Sequence, residues 1–363
     1  MASLDKIAIL TSGGDAPGMN AAVWAVIKLA ASRNIHVVGV ERGYDGLIDS
    51  VFQNLTRELA DGSLAPVDGL DWLAGTGGTF LGSSRCTRFL EPGYRAIVCA
   101  SMRVADIDAL IVIGGNGSLT GAHALASECD IPIVGIPASI DNDIGGTTDA
   151  IGVDTALNTI IEACDRLSDT ARSHHRAFVV EVMGRRSGYL AMAAAVAATA
   201  DAVLLPEQVR DEAETVDELE QLLRRSFSGD RNKRRVLIIK AEGVPTSTLL
   251  LAEQLQSRVG DLENVTVRAI VLGHLIRGGH PTFHDRMIAG RLALGAVNAL
   301  EAGISDVMVG WQSNVGTETP DPHVSVVTLA DMLAETDRLV DGTSDVTAMR
   351  LHLLREVQGV LAL

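Results

Sequence analysis

The sequence predicts an α/β protein built on mostly parallel sheets, and three observations carry that prediction. Apolar runs of strand length recur along the whole 363-residue chain. They are near-continuous Val/Ile/Leu runs rather than alternating ones, as strands covered on both faces require. Helical stretches separate them almost throughout, which is the alternation that parallel strands and their crossovers need.

Taken in order, "KIAIL" (6–10), "HVVGV" (36–40), "DALIVIG" (108–114) and "IPIVGIP" (131–137) read as buried strands. "AFVVEVM" (177–183), "AVLLPE" (202–207), "RVLIIKAEG" (235–243), "VTVRAIVLG" (265–273) and "DVMVGW" (306–311) follow. Segments 154–170 and 212–227 read as helices between them. "SGDRNKRR" (228–235) reads as a surface loop, and the last 20 or so residues as a peripheral helix. At roughly 150 residues per domain, the length allows about two.

Composition narrows the function. The net charge is −16, which argues against general nucleic-acid binding. It also means that any phosphate ligand must be held by local Arg/His clusters against the global field. No apolar run reaches the ~18 residues of a membrane span. The opening "MASLDKIAIL" lacks the basic, apolar profile of a secretory leader. Cys86, Cys99, Cys129 and Cys164 match neither a zinc site nor a redox pair by spacing, so reduced thiols and a cytoplasmic location are expected.

In open α/β sheets ligands gather beyond the carboxyl ends of the strands, so the residues just after each run are the informative ones. "TSGGDAPGMNAAV" (11–23) places Gly13 and Gly14 before a helix with Pro17 in its first turn. Backbone N–H groups and the helix dipole favour a phosphate there, although alone it is equally a tight βα turn. "GGTFLGSSR" (77–85) adds a glycine-rich loop ending in Arg85. "IVIGGNGSLTGA" (111–122) is a strand entering a helix through a loop with almost no side chains, with Asn116 where a nucleotide–metal site would be expected to carry a carboxylate.

"PASIDNDIGGTTDA" (137–150) is the densest signal. In an extended segment Ser139, Asp141 and Asp143 point the same way and line one side of a cleft. One carboxylate can then take a proton from an alcohol while the other serves a metal; the competing reading is an Asx-rich surface turn. "SHHRAFVVEVMGRRSGYLA" (173–191) sets Arg176 before a strand and Met183, Gly184 and Arg185 after it. Arg185 is well placed for phosphoryl stabilisation. Glu242 ends another strand. Arg268, His274 and Arg277 lie within ten residues in "VRAIVLGHLIRGGHP", a phosphate-anchor pattern; the competing reading is a strand with charged outward positions.

With these motifs in this order, the chain closely resembles the phosphofructokinase family from about residue 6 to 312, at the length of the single-unit bacterial type. The resemblance implies two Rossmann-like domains with mostly parallel sheets and an active-site cleft between them. It places a nucleotide-binding domain at 1–151 plus 266–318 and a sugar-phosphate-binding domain at 152–265 plus 319–363. It implies transfer of the terminal phosphoryl group of ATP to the 1-hydroxyl of fructose 6-phosphate, with Mg2+, in a homo-oligomer, dimer or tetramer.

Residue by residue, the resemblance gives Gly14 and Arg85 to the nucleotide phosphates. Cys86, Gly115, Asn116, Gly117, Ser118 and Gly121 belong to the same nucleotide-binding set. Asp141 is the implied base, with Ser139 and Asp143 beside it and Arg185 on the transferring phosphoryl group. Met183, Gly184 and Glu242 hold the sugar, and His274 and Arg277 the 6-phosphate. Arg176 and Arg268 reach that phosphate from a neighbouring subunit.

Two departures stand out. Asn116 takes the place of a metal-handling Asp. Trp24, Lys28 and Ser168 replace arginines of the bacterial effector pocket, while Asp201, Arg231, Lys233 and Arg235 keep part of its character. Two alternatives stay open. A pyrophosphate-dependent enzyme of the same family is one, although Gly117 and Ala138 are the small residues that leave room for a nucleotide. A catalytically weakened sensing member is the other, on the strength of Asn116.

Overall fold

The computed structural model describes residues 4–208, 211–228, 233–313 and 319–361. Its strands in chain order are β1 (Lys6–Ser12), β2 (His36–Val40), β3 (Phe52–Asn54), β4 (Thr56–Glu58), β5 (Leu64–Pro66), β6 (Ala109–Gly114), β7 (Ile133–Pro137), β8 (Arg176–Val182), β9 (Ala202–Leu204), β10 (Arg235–Ala241), β11 (Thr266–Val271), β12 (Val307–Trp311) and β13 (Val324–Thr328). The helices are α1 (Met19–Ser32), α2 (Gly43–Ile48), α3 (Pro92–Val104), α4 (Asn116–Glu128), α5 (Val153–His174), α6 (Tyr189–Ala197), α7 (Glu212–Phe227), α8 (Thr248–Arg258), α9 (Phe283–Glu301), α10 (Leu329–Asp341) and α11 (Asp345–Leu361).

The chain divides into two compact units, Met1–Thr155 with Arg277–Arg338, and Ala156–Ile276 with Leu339–Leu363. The sequence-based bounds need correction at two places. β11 pairs in parallel with β8, so residues 266–276 belong to the second unit. β13 pairs with β12, so the chain leaves the first unit only after Arg338.

In the first unit seven strands run in the order β13-β12-β7-β6-β1-β2-β3. All neighbours pair in parallel except the two edge pairs, β12–β13 and β2–β3. Every residue of β6 and β7 is buried, which is why their sequences are unbroken apolar runs rather than alternating ones. The successive crossovers leave β1 in opposite directions toward β2 and β6. The β1/β6 seam is therefore the switch point where loops part and a ligand can enter.

The second unit holds a four-stranded parallel sheet, β11-β8-β10-β9. Its core joins Ala177 and Val179 of β8 and Val236 and Ile238 of β10 to Leu219 and Leu223 of α7 and Leu251 and Leu255 of α8. α7 starts where it does because Asp211 accepts hydrogen bonds from the Ala213 and Glu214 N–H groups. Glu212 and Glu214 lie in its first turn and Arg224 and Arg225 in its last, matching the helix dipole.

All nine strands expected from the sequence are present. Four short ones, β3, β4, β5 and β13, were not legible; they are edge or hairpin strands that are only partly buried and carry no continuous apolar run. Among the described residues no helix is long and apolar enough to cross a membrane. The expectation of four reduced thiols is corrected: Cys99 in the middle of α3 and Cys129 just after α4 form a disulfide, with Cα atoms 5.6 Å apart. Spacing along the chain carried no sign of a pairing that arises where the two helices pack together.

Candidate active site

In the first unit, three loops leave β1, β6 and β7 at their carboxyl ends. The Gly13–Gly14 turn follows β1. Gly114 closes β6 so tightly against it that a Cβ there would stand 2.5 Å from the Ser12 carbonyl oxygen and 2.7 Å from Ser118 Oγ. Only glycine allows that approach. α4 then begins at Asn116, with Gly115 as its N-cap. Its first N–H groups point away from the helix into the loop region, the arrangement that binds phosphate oxygens. A Cβ on Gly117 would meet nothing within 4 Å, so the face of this turn is open.

Asn116 is fastened on one side only. Its Nδ2 donates to the Asp143 carbonyl oxygen at 3.2 Å, whereas its Oδ1 is buried without a hydrogen-bond partner. Ser118 Oγ is likewise buried and unpartnered. Buried orphan oxygens are uncommon. Two of them at the mouth of a phosphate-type turn, next to the loop that carries Asp141 and Asp143, suit a hard cation or its bound water. Among the described residues no group of three or more His, Cys, Asp or Glu forms a ready-made metal cage.

The loop after β7 does not run extended, which corrects the one-sided alternation expected of Ser139, Asp141 and Asp143. Residues 140 and 141 form a turn. The Asp141 N–H donates to Ser139 Oγ at 3.2 Å, a local side-chain turn of the kind serine favours. Asn142 then takes a left-handed φ of 47°. It stitches the loop internally, donating to the Thr148 carbonyl and accepting from the Ala150 N–H. Asp141 is left only 4 % exposed.

Arg277 stands over this carboxylate. Its Nη2 lies 3.9 Å from Asp141 Oδ1, and its Nη1 donates to the Asp15 carbonyl at 3.2 Å. A Cβ on Gly14 would come within 2.9 Å of the same guanidinium. The structure therefore groups Arg277 with Asp141 and the first glycine loop, inside the first unit. His274 is an exposed residue of the turn Gly273–Arg277, counted with the second unit.

In the second unit, β8 ends at Val182 and is followed by Met183, Gly184 and Arg185. Gly184 has φ 146° and Arg185 φ 52°, a left-handed pair that turns the chain sharply before α6. Glu242, at the end of β10, holds this turn: its Oε1 accepts from the Gly184 N–H at 3.1 Å and the Arg185 N–H at 2.7 Å. Arg176 lies at the other end of β8, six residues earlier and thus ~20 Å away along the strand. Arg268 pairs in register with Phe178 and is exposed. Neither shares the Met183–Arg185 turn. Among the residues that the resemblance sets against an effector pocket, Ser168 Oγ accepts from Arg235 and Lys233 pairs with Asp201 at 2.8 Å; Arg231 lies outside the described residues.

In the first unit, the short helix α2 also braces the region around α4. Tyr44 there is buried, stacks on Phe89 with ring centroids 4.0 Å apart, and donates from its hydroxyl to the Ser118 carbonyl at 2.6 Å. Burial pushes its phenol pKa up. A Cβ on Gly121 would stand 3.0 Å from this ring. Gly121 is thus the small residue that lets Tyr44 brace the start of α4. A six-residue helix shows no periodicity, and no signal in the sequence marked it.

Within the first unit, Gly-rich turns at a switch point and a buried carboxylate under an arginine are the features of a phosphoryl-transfer class of α/β protein. A family model described as Phosphofructokinase matches residues 6–300, and the chain belongs to the phosphofructokinase family. It is 44% identical over 317 residues to the ATP-dependent 6-phosphofructokinase of Thermotoga neapolitana, covering 87% of this chain and 93% of that one. It is 42% identical over 336 residues to the enzyme of the same name from Staphylococcus epidermidis, covering 92% and 95%. Among solved structures, Pichia pastoris phosphofructokinase in the T-state superposes with a TM-score of 0.81 at 32% identity, over 99% of this chain and 40% of that longer one. A pyrophosphate-dependent phosphofructokinase from Marinobacter aquaeolei, at 20% identity and a TM-score of 0.73, shares the fold.

Proposed function

We propose that this chain transfers the terminal phosphoryl group of ATP to the 1-hydroxyl of fructose 6-phosphate, as a glycolytic 6-phosphofructokinase. The observation that carries the reading is the buried Asp141 turn beneath Arg277, beside an open glycine turn at the start of α4. Asp141 takes the proton of the sugar hydroxyl as it attacks. Ser139 orients the loop through its bond to the Asp141 N–H, and Asp143 stands beside them. Arg277 offsets the charge of the base and reaches toward the 6-phosphate with His274. Arg185 stabilises charge on the transferring group, and Met183, Gly184 and Glu242 hold the sugar.

Gly14, Arg85, Cys86, Gly115, Asn116, Gly117, Ser118 and Gly121 form the nucleotide side of this proposal. Little covalent chemistry is asked of the protein; it positions donor and acceptor in line and neutralises charge. Mg2+ belongs to the proposal and, when bound, neutralises phosphate charge. Asn116 Oδ1 and one carboxylate, of Asp141 or Asp143, are the oxygens that would hold it. Self-association, with Arg176 and Arg268 serving a neighbouring subunit, and a cytoplasmic location are further parts of the reading, supported by the family.

ATP is favoured over pyrophosphate by the open space at Gly117 and by the ATP-dependent relatives. A coupled assay of fructose 1,6-bisphosphate formation tests it with ATP and with pyrophosphate as donor. Turnover with ATP and fructose 6-phosphate is expected. Turnover with pyrophosphate alone, or binding of both ligands with no product in a single-turnover experiment, overturns it.

A further inference from the structure

Residues 82–87, which carry Arg85, contain no helix or strand, yet Gly82, Ser83, Ser84 and Cys86 are each held by a hydrogen bond. Thr11 Oγ1 donates to the Gly82 carbonyl at 2.8 Å, and Ser84 Oγ donates to the Arg42 carbonyl at 2.9 Å. Beyond Ser84 the exposure alternates: Arg85 and Thr87 are exposed, whereas Ser84, Cys86 and Arg88 are half-buried. Those three half-buried side chains converge on one carboxylate, that of Asp45 in α2. Ser84 Oγ reaches Asp45 Oδ2 at 2.6 Å, Cys86 Sγ reaches Oδ1 at 3.0 Å, and Arg88 Nη2 reaches Oδ1 at 2.7 Å. Arg88 also pairs with Asp49 at 3.1 Å.

A carboxylate near a phosphate site ordinarily repels the ligand. Here its charge is consumed. The hydrogen bonds from Ser84, Cys86 and Arg88 bring the Asp45 carboxyl down to about 2, so it stays ionised and fully engaged. The groups it binds are the neighbours of Arg85 on both sides. The Arg85 backbone is thereby clamped at residues i−1 and i+1 while its side chain remains exposed. An arginine on an unclamped loop would lose conformational entropy on binding a phosphate; here part of that ordering is done beforehand.

We propose that Asp45 is a positioning residue for the donor nucleotide, acting through Arg85. The inference rests on the reading of Arg85 as a nucleotide contact. It predicts a change in ATP affinity with the sugar side untouched. Asp45→Ala is expected to raise KM for ATP about 10-fold, since small displacements of a positioned group cost up to about 100-fold. KM for fructose 6-phosphate and kcat should stay within about twofold of their original values. Asp45→Asn keeps the size and one acceptor oxygen and should recover part of the loss.

The double-mutant cycle with Arg85→Ala decides the matter, with the thermal midpoint of each variant read alongside. Once Arg85 is gone, Asp45→Ala should add nothing further to KM for ATP. An equal effect of Asp45→Ala in both backgrounds means that Asp45 acts elsewhere and overturns the proposal. So does an unchanged KM for ATP in a folded Asp45→Ala or Asp45→Asn enzyme, while Arg85→Ala raises it. If Arg85→Ala itself leaves KM for ATP unchanged, the assignment of Arg85 fails and the inference falls with it.

Discussion

Asp285 is fully buried at the start of α9 and binds the chain where it returns from the Ser139–Asp143 loop. Its Oδ1 accepts from the Gly152 N–H at 2.8 Å; its Oδ2 accepts from the Thr155 N–H at 2.8 Å and from the Thr155 hydroxyl. Just before it, Ile151 bridges back to Ala138, which precedes the Ser139–Asp141 turn. Asp285→Ala orphans two buried backbone N–H groups, at about 1–3 kcal/mol each, or about 2–6 kcal/mol in all. Asp285→Asn retains one acceptor oxygen but turns an NH2 group toward one of the donors, costing about 1–3 kcal/mol. At about 2–4 °C per kcal/mol for a domain of this size, the Asn enzyme should melt about 2–12 °C lower, and the Ala enzyme lower still.

Dependence on pH supplies an independent check. Burial holds the Asp285 carboxyl above its ordinary range, against the hydrogen bonds from Thr155 and Gly152 that favour the ionised form. A carboxyl raised in the folded state contributes stability that is complete below its unfolded value near 3.9 and lost as pH rises through the folded value. The melting gap between the native enzyme and Asp285→Asn should therefore narrow as pH rises above about 4. Calorimetric scans of the three proteins between acid and neutral pH measure it. A gap that widens with pH, or an Ala variant as stable as the native enzyme, would refute the account.

Three further outcomes are expected. Asp141→Asn should lower kcat by roughly 10²–10⁴-fold with little change in KM for fructose 6-phosphate, and near-normal turnover would remove it from the role of base. Asn116→Asp supplies a charge where a buried oxygen now lacks a partner; it should lower the Mg2+ concentration for half-maximal rate, and an unchanged midpoint would mark Asn116 as turn chemistry alone. Glu242→Ala frees the Gly184–Arg185 turn and should depress kcat as well as raise KM for the sugar phosphate, while Glu242→Gln, which can still accept from both N–H groups, should recover kcat better than KM. Identical losses in the two Glu242 variants would show that the carboxylate serves only the sugar.

The sequence by itself determined the two sheets and most of what stands at their strand ends. A strand buried on both faces must be apolar at every position, so β1, β6, β7, β8 and β10 were legible without any partner being known. The residue that follows such a strand is fixed by the same count, and that is how Asp141, Asn116, Arg185 and Glu242 could be placed. What those residues touch was decided by tertiary structure. Arg277 meets Asp141 although the two are far apart in the chain, and Glu242 grips the backbone beside Arg185 from a different strand. Asp45 gathers side chains about forty residues away, and Cys99 finds Cys129 across a packed helix pair. Local patterning records whether a position is buried, because burial constrains each residue singly. Pairing depends on the path of the chain between two positions, and neither residue alone carries that information.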